Sequence, residues 1–169
     1  RHRIKRVVLF GPSHRVSFRG IAAPTVDFFE TPLGRVSIDQ KTISQVRHEQ
    51  FGFLDAAHQE EHSLEVQIPF LQEVLDDFVL IPLAVGDVSP DVVATVLETL
   101  WGGDETLIVI SSDLSHFENY PTAQDKDQKT SDAIVRLDGQ NLNGHQACGC
   151  RPIRGLLELA KKKNNSLTK

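Results

Sequence analysis

The stretch RVVLFGPSH, residues 6–14, runs from a nearly continuous apolar segment into Gly-Pro-Ser-His. A short apolar run ended by a Gly-Pro pair is typical of a β-strand buried on both faces, as in a parallel sheet. The stretch TLIVISSDLSH, residues 106–116, repeats this arrangement, with serines, a carboxylate and an imidazole after the apolar run. A simple turn would more often use Gly, Asn or Pro, so the polar residues that follow both strands suggest a functional site.

Apolar residues in the rest of the chain alternate between strand and helix patterns. Residues 78–85 have the composition of another buried strand, whereas residues 63–75 and 90–100 carry apolar residues three and four positions apart, as amphipathic helices do. Pro69 predicts a kink or a late start in the first of these helices. The remaining expectations are an edge strand or loop at 21–29, a hairpin arm at 34–38, a loop at 58–61 and helices at about 39–49, 124–137 and 152–163. This alternation predicts an α/β fold of three layers, with a mostly parallel sheet and helices on both faces.

Length and composition suit one soluble globular domain covering residues 1–169, with 40% hydrophobic and 24% charged residues. The net charge is −5 and no block of basic residues lies inside the chain, so we expect no nucleic-acid partner. No apolar stretch approaches the roughly 20 residues that span a bilayer, so we expect no membrane partner and a cytoplasmic location. Cys148 and Cys150 are one residue apart, and we expect free thiols rather than a disulfide between them.

The polar strand ends carry the first candidate site residues. In open α/β sheets, ligands bind beyond the carboxyl ends of the strands. If both strands are parallel, His14 and the cluster of Ser112, Asp113 and His116 therefore lie at one edge of the sheet. The ordinary alternative is that Ser112 and Asp113 cap a following helix and that His116 lies on its surface. Two such clusters, each with a histidine, favour a site.

The segment GHQACGCRPIRG, residues 144–155, carries the two cysteines. Their spacing is too short for the usual paired zinc knuckle, so we expect one to be a ligand or nucleophile and the other a bystander. Pro152 suits the first turn of a helix, and a thiol at a helix N-terminus is favoured for both roles. The alternative is that the cysteine is a small buried apolar residue.

The segment EEHSLEVQIPFL, residues 60–71, places His62 at a helix start and Glu65 three positions later. Side chains with that spacing can face the same pocket. The alternative is a capping box with Ser63 as the N-cap, but the residue three positions on is Val66 rather than Glu or Gln, so the box fails. An ordinary serine cap remains open.

Taken together, the sequence resembles the Memo-like family, also called AmmeMemoRadiSam system protein B. The matching stretches follow the order of the family and cover essentially the whole chain: GPSHRVSFRGIA, TPLGRVSIDQ, EEHSLEVQIPFLQ, IPLAVGD, VISSDLSHF and ACGCRPIRGLLEL. The resemblance implies a fold similar to that of the LigB-like (class III) extradiol dioxygenases, in which two His and a Glu bind non-haem iron at one edge of the sheet. In Memo-like proteins a Cys stands where those dioxygenases have the Glu.

By motif, the resemblance implies that His14 matches a metal-binding His and Cys148 matches the Cys. His116 matches the acid/base His, and Asp113 and His62 match further polar residues of the pocket. The first metal-binding His of the family belongs to an Ala-Pro-His-Ala-Gly-Tyr segment that has no match here, and neither do the last strands of the family. Cys150 stands where the family usually has Arg, so another ligand register is conceivable.

The resemblance leads to a ranked set of functional hypotheses. The first is a His/Cys metal-binding pocket for iron, copper or zinc, in which His14 and Cys148 are joined by His62 or water, with redox activity open and no established catalytic activity. The second is a module that binds a small molecule, a peptide or a phosphorylated ligand in the same pocket. The third is a non-haem iron dioxygenase, a metal-dependent oxidoreductase, and the fourth is a cysteine hydrolase that uses Cys148, His116 and Asp113. The oligomeric state is left open.

Overall fold

The structure is a computed structural model that describes residues 3–167, and a five-stranded sheet lies at its centre. The strands along the chain are β1 (Arg6–Pro12), β2 (Ile21–Ala23), β3 (Phe28–Thr31), β4 (Gly34–Ser37), β5 (Phe51–Phe53), β6 (Val79–Val85) and β7 (Thr106–Ile110). The order across the sheet is β5-β2-β6-β1-β7, and β3 and β4 form a separate antiparallel hairpin. β1 pairs in parallel with both β6 and β7, whereas β2 is antiparallel to β6 and parallel to β5. The predicted mostly parallel sheet is confirmed, and the one antiparallel junction lies between β2 and β6, so β2 and β5 run opposite to the other three strands.

Helices cover both faces of this sheet, as the alternation of strands and helices predicts. They are α1 (Gln40–Ile43), α2 (Ala56–Gln59), α3 (His62–Glu65), α4 (Gln67–Val74), α5 (Pro90–Leu100), α6 (Tyr120–Val135) and α7 (Cys150–Leu167). In β1, Val7 and Leu9 pack with residues of α3 and α4, while Val8 and Phe10 pack on the opposite side with residues of α5 and α7. All four side chains are 0% exposed. The period-two alternation of the strand thus supplies the centre of both apolar layers.

Three helices begin or end at residues other than those predicted. The helix expected over 39–49 ends at Ile43, because the chain beyond it bends back and the Gln50 carbonyl accepts a hydrogen bond from the Ile21 backbone N–H, next to the pairing of β5 with β2. The Asp39 cap itself is confirmed, since its carboxylate accepts from the Thr42 backbone N–H at 3.0 Å. α6 begins at Tyr120 rather than 124 because the Asn119 side chain caps it, and α7 begins two residues earlier than predicted.

The predicted helix over 63–75 is divided into α3 and α4. α4 begins at Gln67, so Pro69 lies in its first turn, where a backbone N–H has no partner within the helix. The predicted late start is therefore confirmed. The loop predicted at 58–61 is partly helical, because α2 covers residues 56–59. Among the helices of the described residues, none has the length and apolarity needed to cross a membrane.

We expect Gly155→Ala to destabilise the fold, because α5 and α7 approach each other closely at this position. A Cβ on Gly155 would lie 2.5 Å from Val93 Cβ and 2.8 Å from the Pro90 carbonyl oxygen. Alanine favours the helix locally, but overpacking costs about 1–3 kcal/mol, so the free energy of unfolding in urea should fall. Gly144→Ala is the control, since a Cβ there meets nothing within 4 Å. Equal stability of the two variants would contradict the close packing.

Candidate functional site

An open cleft of about 450 Å³ lies at the edge of the sheet where β1 and β7 end. Its lining residues come from the ends of β1 and β7 and from the starts of α3, α4 and α7: His14, Arg15, Glu61, His62, Ser63, Val66, Gln67, Ser111, Ser112, Asp113 and Cys148. The parallel pairing of β1 with β7 sets Phe10 beside Ile110, so the residues that follow the two strands emerge together. The structure thus brings four of the predicted site residues, His14, His62, Asp113 and Cys148, into one cleft.

Glu61 is the buried polar residue on which the His14 side of the cleft is built. Its carboxylate accepts hydrogen bonds from the backbone N–H of His14 and, at 3.0 Å, from the backbone N–H of Ser63. One oxygen also lies 3.0 Å from Nδ1 of His14. An ionised carboxylate can only accept, so Nδ1 carries a proton, and in the neutral ring Nε2 is the nitrogen with the lone pair. The Glu61 side chain is 2% exposed, whereas that of His14 is 50% exposed.

Opposing effects act on the pKa of Glu61. Burial alone would raise it, because a buried charge loses its hydration. The two backbone N–H donors of His14 and Ser63, together with the His14 ring, outweigh burial and lower the pKa of Glu61 to about 2. The carboxylate therefore stays ionised at neutral pH and fixes the tautomer of His14.

Cys148 is held at the other side of the cleft by the segment that follows β7. Its backbone N–H donates to the Asp113 carbonyl at 3.2 Å, and the Asp113 backbone N–H donates to Sγ of Cys148 at 3.1 Å. The next residue, Gly149, donates its N–H to Oγ of Ser112 at 2.9 Å. A Cβ on Gly149 would lie 2.6 Å from the Ser111 carbonyl oxygen, so only glycine allows this approach. These contacts place the sulfur in the cleft, just before α7 begins.

The two cysteines have different surroundings, as the sequence predicts for one functional residue and one bystander. Cys150 is buried among Leu142, Ala147, Ile153 and Leu157 and does not line the cleft. Both thiols are free. The structure therefore gives no support to Cys150 as an alternative ligand.

His116 lies at the margin of the cleft rather than in its wall. Its Nε2 is 3.4 Å from Oδ2 of Asp113, and its side chain is 40% exposed. Among the described residues, Sγ of Cys148 has polar contacts with Ser112 and Asp113 and none with His116. The structure thus pairs His116 with Asp113, as expected for neighbouring polar groups, while their catalytic roles stay predictions.

His62 and Glu65 separate, contrary to the expectation that they face one pocket. His62 is the first residue of α3 and lines the cleft. Glu65 lines a different cavity, beneath the β3–β4 hairpin. α3 has a single turn, and the chain continues from Val66 into α4. The side chains of its first and last residues line different cavities.

The sequence pattern did not predict a role for Glu61, because Ser63 is an equally suitable N-cap residue for this helix. The structure has Glu61 as the N-cap of α3, with its side chain accepting from the Ser63 backbone N–H. The useful signal would have been the acidic pair Glu60-Glu61 directly before the helix, since carboxylates are favoured at helix N-termini. Its contact with His14 is 47 positions away in sequence and leaves no local pattern.

The potential metal ligands in the cleft are of types that transition metals prefer, but too few of them lie close together. A histidine nitrogen and a cysteine sulfur suit zinc, copper or iron. Within residues 3–167, however, no three His, Cys, Asp or Glu side chains are close enough together to hold a metal ion. Glu61, the buried carboxylate of the cleft, directs both of its oxygens at donors of the protein.

The fold and the cleft define an α/β protein with a His/Cys-lined pocket at one edge of a mostly parallel sheet. The sequence model of the Memo-like protein family matches residues 1–169. The chain is 34% identical over 165 residues to a MEMO1 family protein of Thermotoga neapolitana, and the match covers 90% of this chain and 60% of that protein. It is 33% identical over 170 residues to a MEMO1 family protein of Sulfolobus acidocaldarius, covering 92% of this chain and 60% of that one.

A third relative, a MEMO1 family protein of Methanococcoides burtonii, is 32% identical over 180 residues, covering 96% of this chain and 67% of that protein. The chain belongs to the Memo-like family, as the sequence resemblance predicts. It spans about 60% of the length of the first two relatives.

We expect Glu61→Gln to lower the free energy of unfolding at pH 7 by about 1–3 kcal/mol, because the backbone N–H groups of His14 and Ser63 lose a charged acceptor. A lowered carboxyl pKa stabilises the fold above the unfolded-state pKa, and this stability is lost as pH falls towards the folded-state pKa. Wild-type stability should therefore fall more steeply than that of the variant between about pH 4.3 and 2. Urea denaturation at several pH values measures this difference. Exposed Glu60→Gln is the control, and parallel curves for wild type and Glu61→Gln would contradict the assignment.

Proposed function

We propose that the cleft is a His/Cys metal-binding site for iron, copper or zinc. His14 and Cys148 supply the first two ligands, and His62 or water completes the set. His116 and Asp113 handle protons at the margin of the cleft. This proposal makes the protein a metal-binding member of its family with redox activity open, and places it in the cytoplasm, where thiols remain reduced.

The observation that carries the proposal is the hydrogen bond from His14 Nδ1 to the buried Glu61 carboxylate. Histidines that bind metals almost always donate their other ring N–H to such a partner, which fixes the tautomer and makes the ring a stronger donor. The same geometry leaves Nε2 available, and the His14 side chain is half exposed. Cys148 then supplies a sulfur donor from the opposite wall.

The incomplete donor set limits what such a metal does. A bound metal would supply Lewis acidity or electron transfer. Because the described residues gather no set of three close donors, we expect weak binding and no robust turnover by this chain. Oxidoreductase activity is therefore not part of the main proposal.

A dioxygenase function is less favoured by the same geometry. Non-haem iron oxygenases use two histidines and a carboxylate as ligands and leave the remaining positions open. The buried carboxylate of this cleft, Glu61, already accepts from His14 and Ser63, so it is a partner of a ligand rather than a ligand. A cysteine hydrolase is also less favoured, because its triad needs a contact between Cys148 and His116. In the described part of the chain the polar contacts of Cys148 Sγ are with Ser112 and Asp113 instead.

A second candidate function is binding of an anionic small molecule or phosphopeptide in the same cleft. Arg15, His14 and His62 line the cleft together with the hydroxyl-bearing Ser111 and Ser112. Arginine and hydroxyl groups commonly donate hydrogen bonds to phosphate oxygens. We expect no nucleic-acid partner, because the chain has a net charge of −5. We expect no membrane partner, because no apolar stretch of the sequence approaches the roughly 20 residues that span a bilayer.

Anaerobic titration with Fe(II), Cu(I) and Zn(II) tests the metal proposal. We expect Cys148→Ala and His14→Ala to weaken binding most, and Glu61→Gln to weaken it by about tenfold through the orientation of His14. The matched controls are Cys150→Ala, a thiol in the core, and His145→Ala, an exposed histidine, and both should bind as wild type does.

Equal metal affinity of wild type and Cys148→Ala would contradict the metal proposal. Oxygen uptake with catechols would restore the dioxygenase hypothesis. Phosphotyrosine-peptide binding that persists after metal chelation and is lost in Arg15→Ala would favour the anion-binding module instead.

A further inference from the structure

A second cavity of about 590 Å³ lies beneath the β3–β4 hairpin, and we call it the hairpin cavity. Its walls are the loop before β3, β3 itself, α2, α3 and the first turn of α4. Its volume is in the range of small-molecule sites in proteins. It adjoins the His/Cys cleft through Glu61, which lines both, but none of the proposed metal ligands lines it.

The interior of the hairpin cavity is largely apolar. Leu64 and Ile68 line it and are each 2% exposed, so they belong to the buried core. Phe29 forms an aromatic wall with His58, their ring centroids being 6.2 Å apart. Phe28, 40% exposed, contributes a second aromatic ring to the lining. A compact apolar ligand would therefore bury its surface on entering.

All the formally charged residues that line the hairpin cavity are acidic: Glu30, Asp55, Glu61 and Glu65. Three of these carboxylates are engaged, Glu30 by Arg35 at 3.4 Å, Asp55 by Thr25 and Glu61 by His14 and Ser63. Glu65 is exposed and, within the described part of the chain, has no ion pair or hydrogen-bonding side-chain partner. It therefore provides an available negative charge beside an apolar interior.

His58 adds no positive charge to this lining. Burial lowers the pKa of His58, despite the opposing influence of the Ala22 carbonyl, Asp55 and Glu61. Its Nε2 lies 3.0 Å from the Ala22 carbonyl oxygen, so Nε2 carries the proton of the neutral ring. Nδ1 is then a buried lone pair that no described residue contacts as a donor, which adds partial negative charge to the wall.

We propose that the hairpin cavity binds a small organic ammonium ion with a compact aromatic or aliphatic body. The apolar lining takes up the body, and the ammonium group lies near Glu65. An anion would meet four carboxylates without a lining cation, and a neutral ligand would gain no attraction from Glu65. The Phe28 ring already has the Arg35 guanidinium 4.2 Å from its centroid, so Glu65 rather than this ring attracts the ammonium group. This inference is independent of metal binding in the cleft.

Phenethylammonium tests this proposal, with neutral 2-phenylethanol and anionic 3-phenylpropionate as matched probes. We titrate each into the isotopically labelled full chain and follow backbone amide shifts by NMR. Phenethylammonium should shift the amides of Phe29, His58 and Leu64 and bind more tightly than the alcohol. The propionate should leave these amides unchanged, because the acidic lining repels it.

Variants of Glu65 separate charge recognition from general apolar binding. Glu65→Gln should weaken phenethylammonium binding by about threefold, the effect of one exposed charge pair, and Glu65→Lys should weaken it by about tenfold, because repulsion replaces attraction. Glu65 is exposed, so neither change threatens folding. Glu98→Gln, which removes an exposed charge from α5, should bind as wild type does. Equal binding of all three probes, shifts confined to other regions, or an unchanged affinity in Glu65→Lys would each overturn the proposal.

Discussion

β1 is the element on which the rest of the structure depends, because it pairs with a neighbouring strand along each edge and is buried on both faces. Its parallel hydrogen bonds to β6 and β7 fix the order of the sheet centre, and its alternating side chains start the two apolar layers. A strand in this position tolerates neither a shift in register nor a polar residue, since either would leave apolar surface exposed or a donor unpaired. The direction in which the chain leaves β1 therefore also fixes the position of His14.

The cleft at the end of β1 is built by polar contacts rather than by apolar packing. The Glu61 carboxylate accepts a hydrogen bond from the His14 ring, and the Asp113 backbone N–H donates to Sγ of Cys148. Both arrangements need a glycine, because Gly11 lets Ser63 and Leu64 of α3 approach β1, and Gly149 lets the turn before α7 meet Ser111 and Ser112. The positions of the candidate ligands are thus set by residues that would not themselves touch a metal.

The sequence predicted those parts of the fold whose signals are local. The runs at 6–10 and 78–85 are apolar because both faces of those strands are buried, so composition alone identifies them. The run at 106–110 is also a strand, but β7 lies at the edge of the sheet and is only half-buried, so the expectation of full burial is wrong for it. β2 and β5 have three residues each and are defined by pairing partners elsewhere in the chain, which is why β5 was not predicted. The early end of α1 has the same origin, since tertiary pairing overrode the helical pattern.

The candidate site was predictable to a similar degree. His14 and Asp113 follow strands whose ends must meet in a parallel sheet, and Cys148 precedes a helix that a proline marks. The support of His14 by Glu61 could not be predicted, because a contact between distant positions leaves no spacing to recognise. The separation of His62 from Glu65 depends on where α3 ends, and helix ends are the least certain feature of a sequence pattern.

The cleft is assembled from segments that are far apart in the chain, at the ends of β1 and β7 and the starts of α3 and α7. The geometry of the site therefore depends on the packing of the sheet against both helix layers, and a ligand of the cleft would bind the folded chain but not the unfolded one. Its binding free energy would then add to the stability of the whole chain. Amide hydrogens of β1 would then exchange more slowly with solvent when a ligand is bound, although no residue of Arg6–Pro12 lines the cleft.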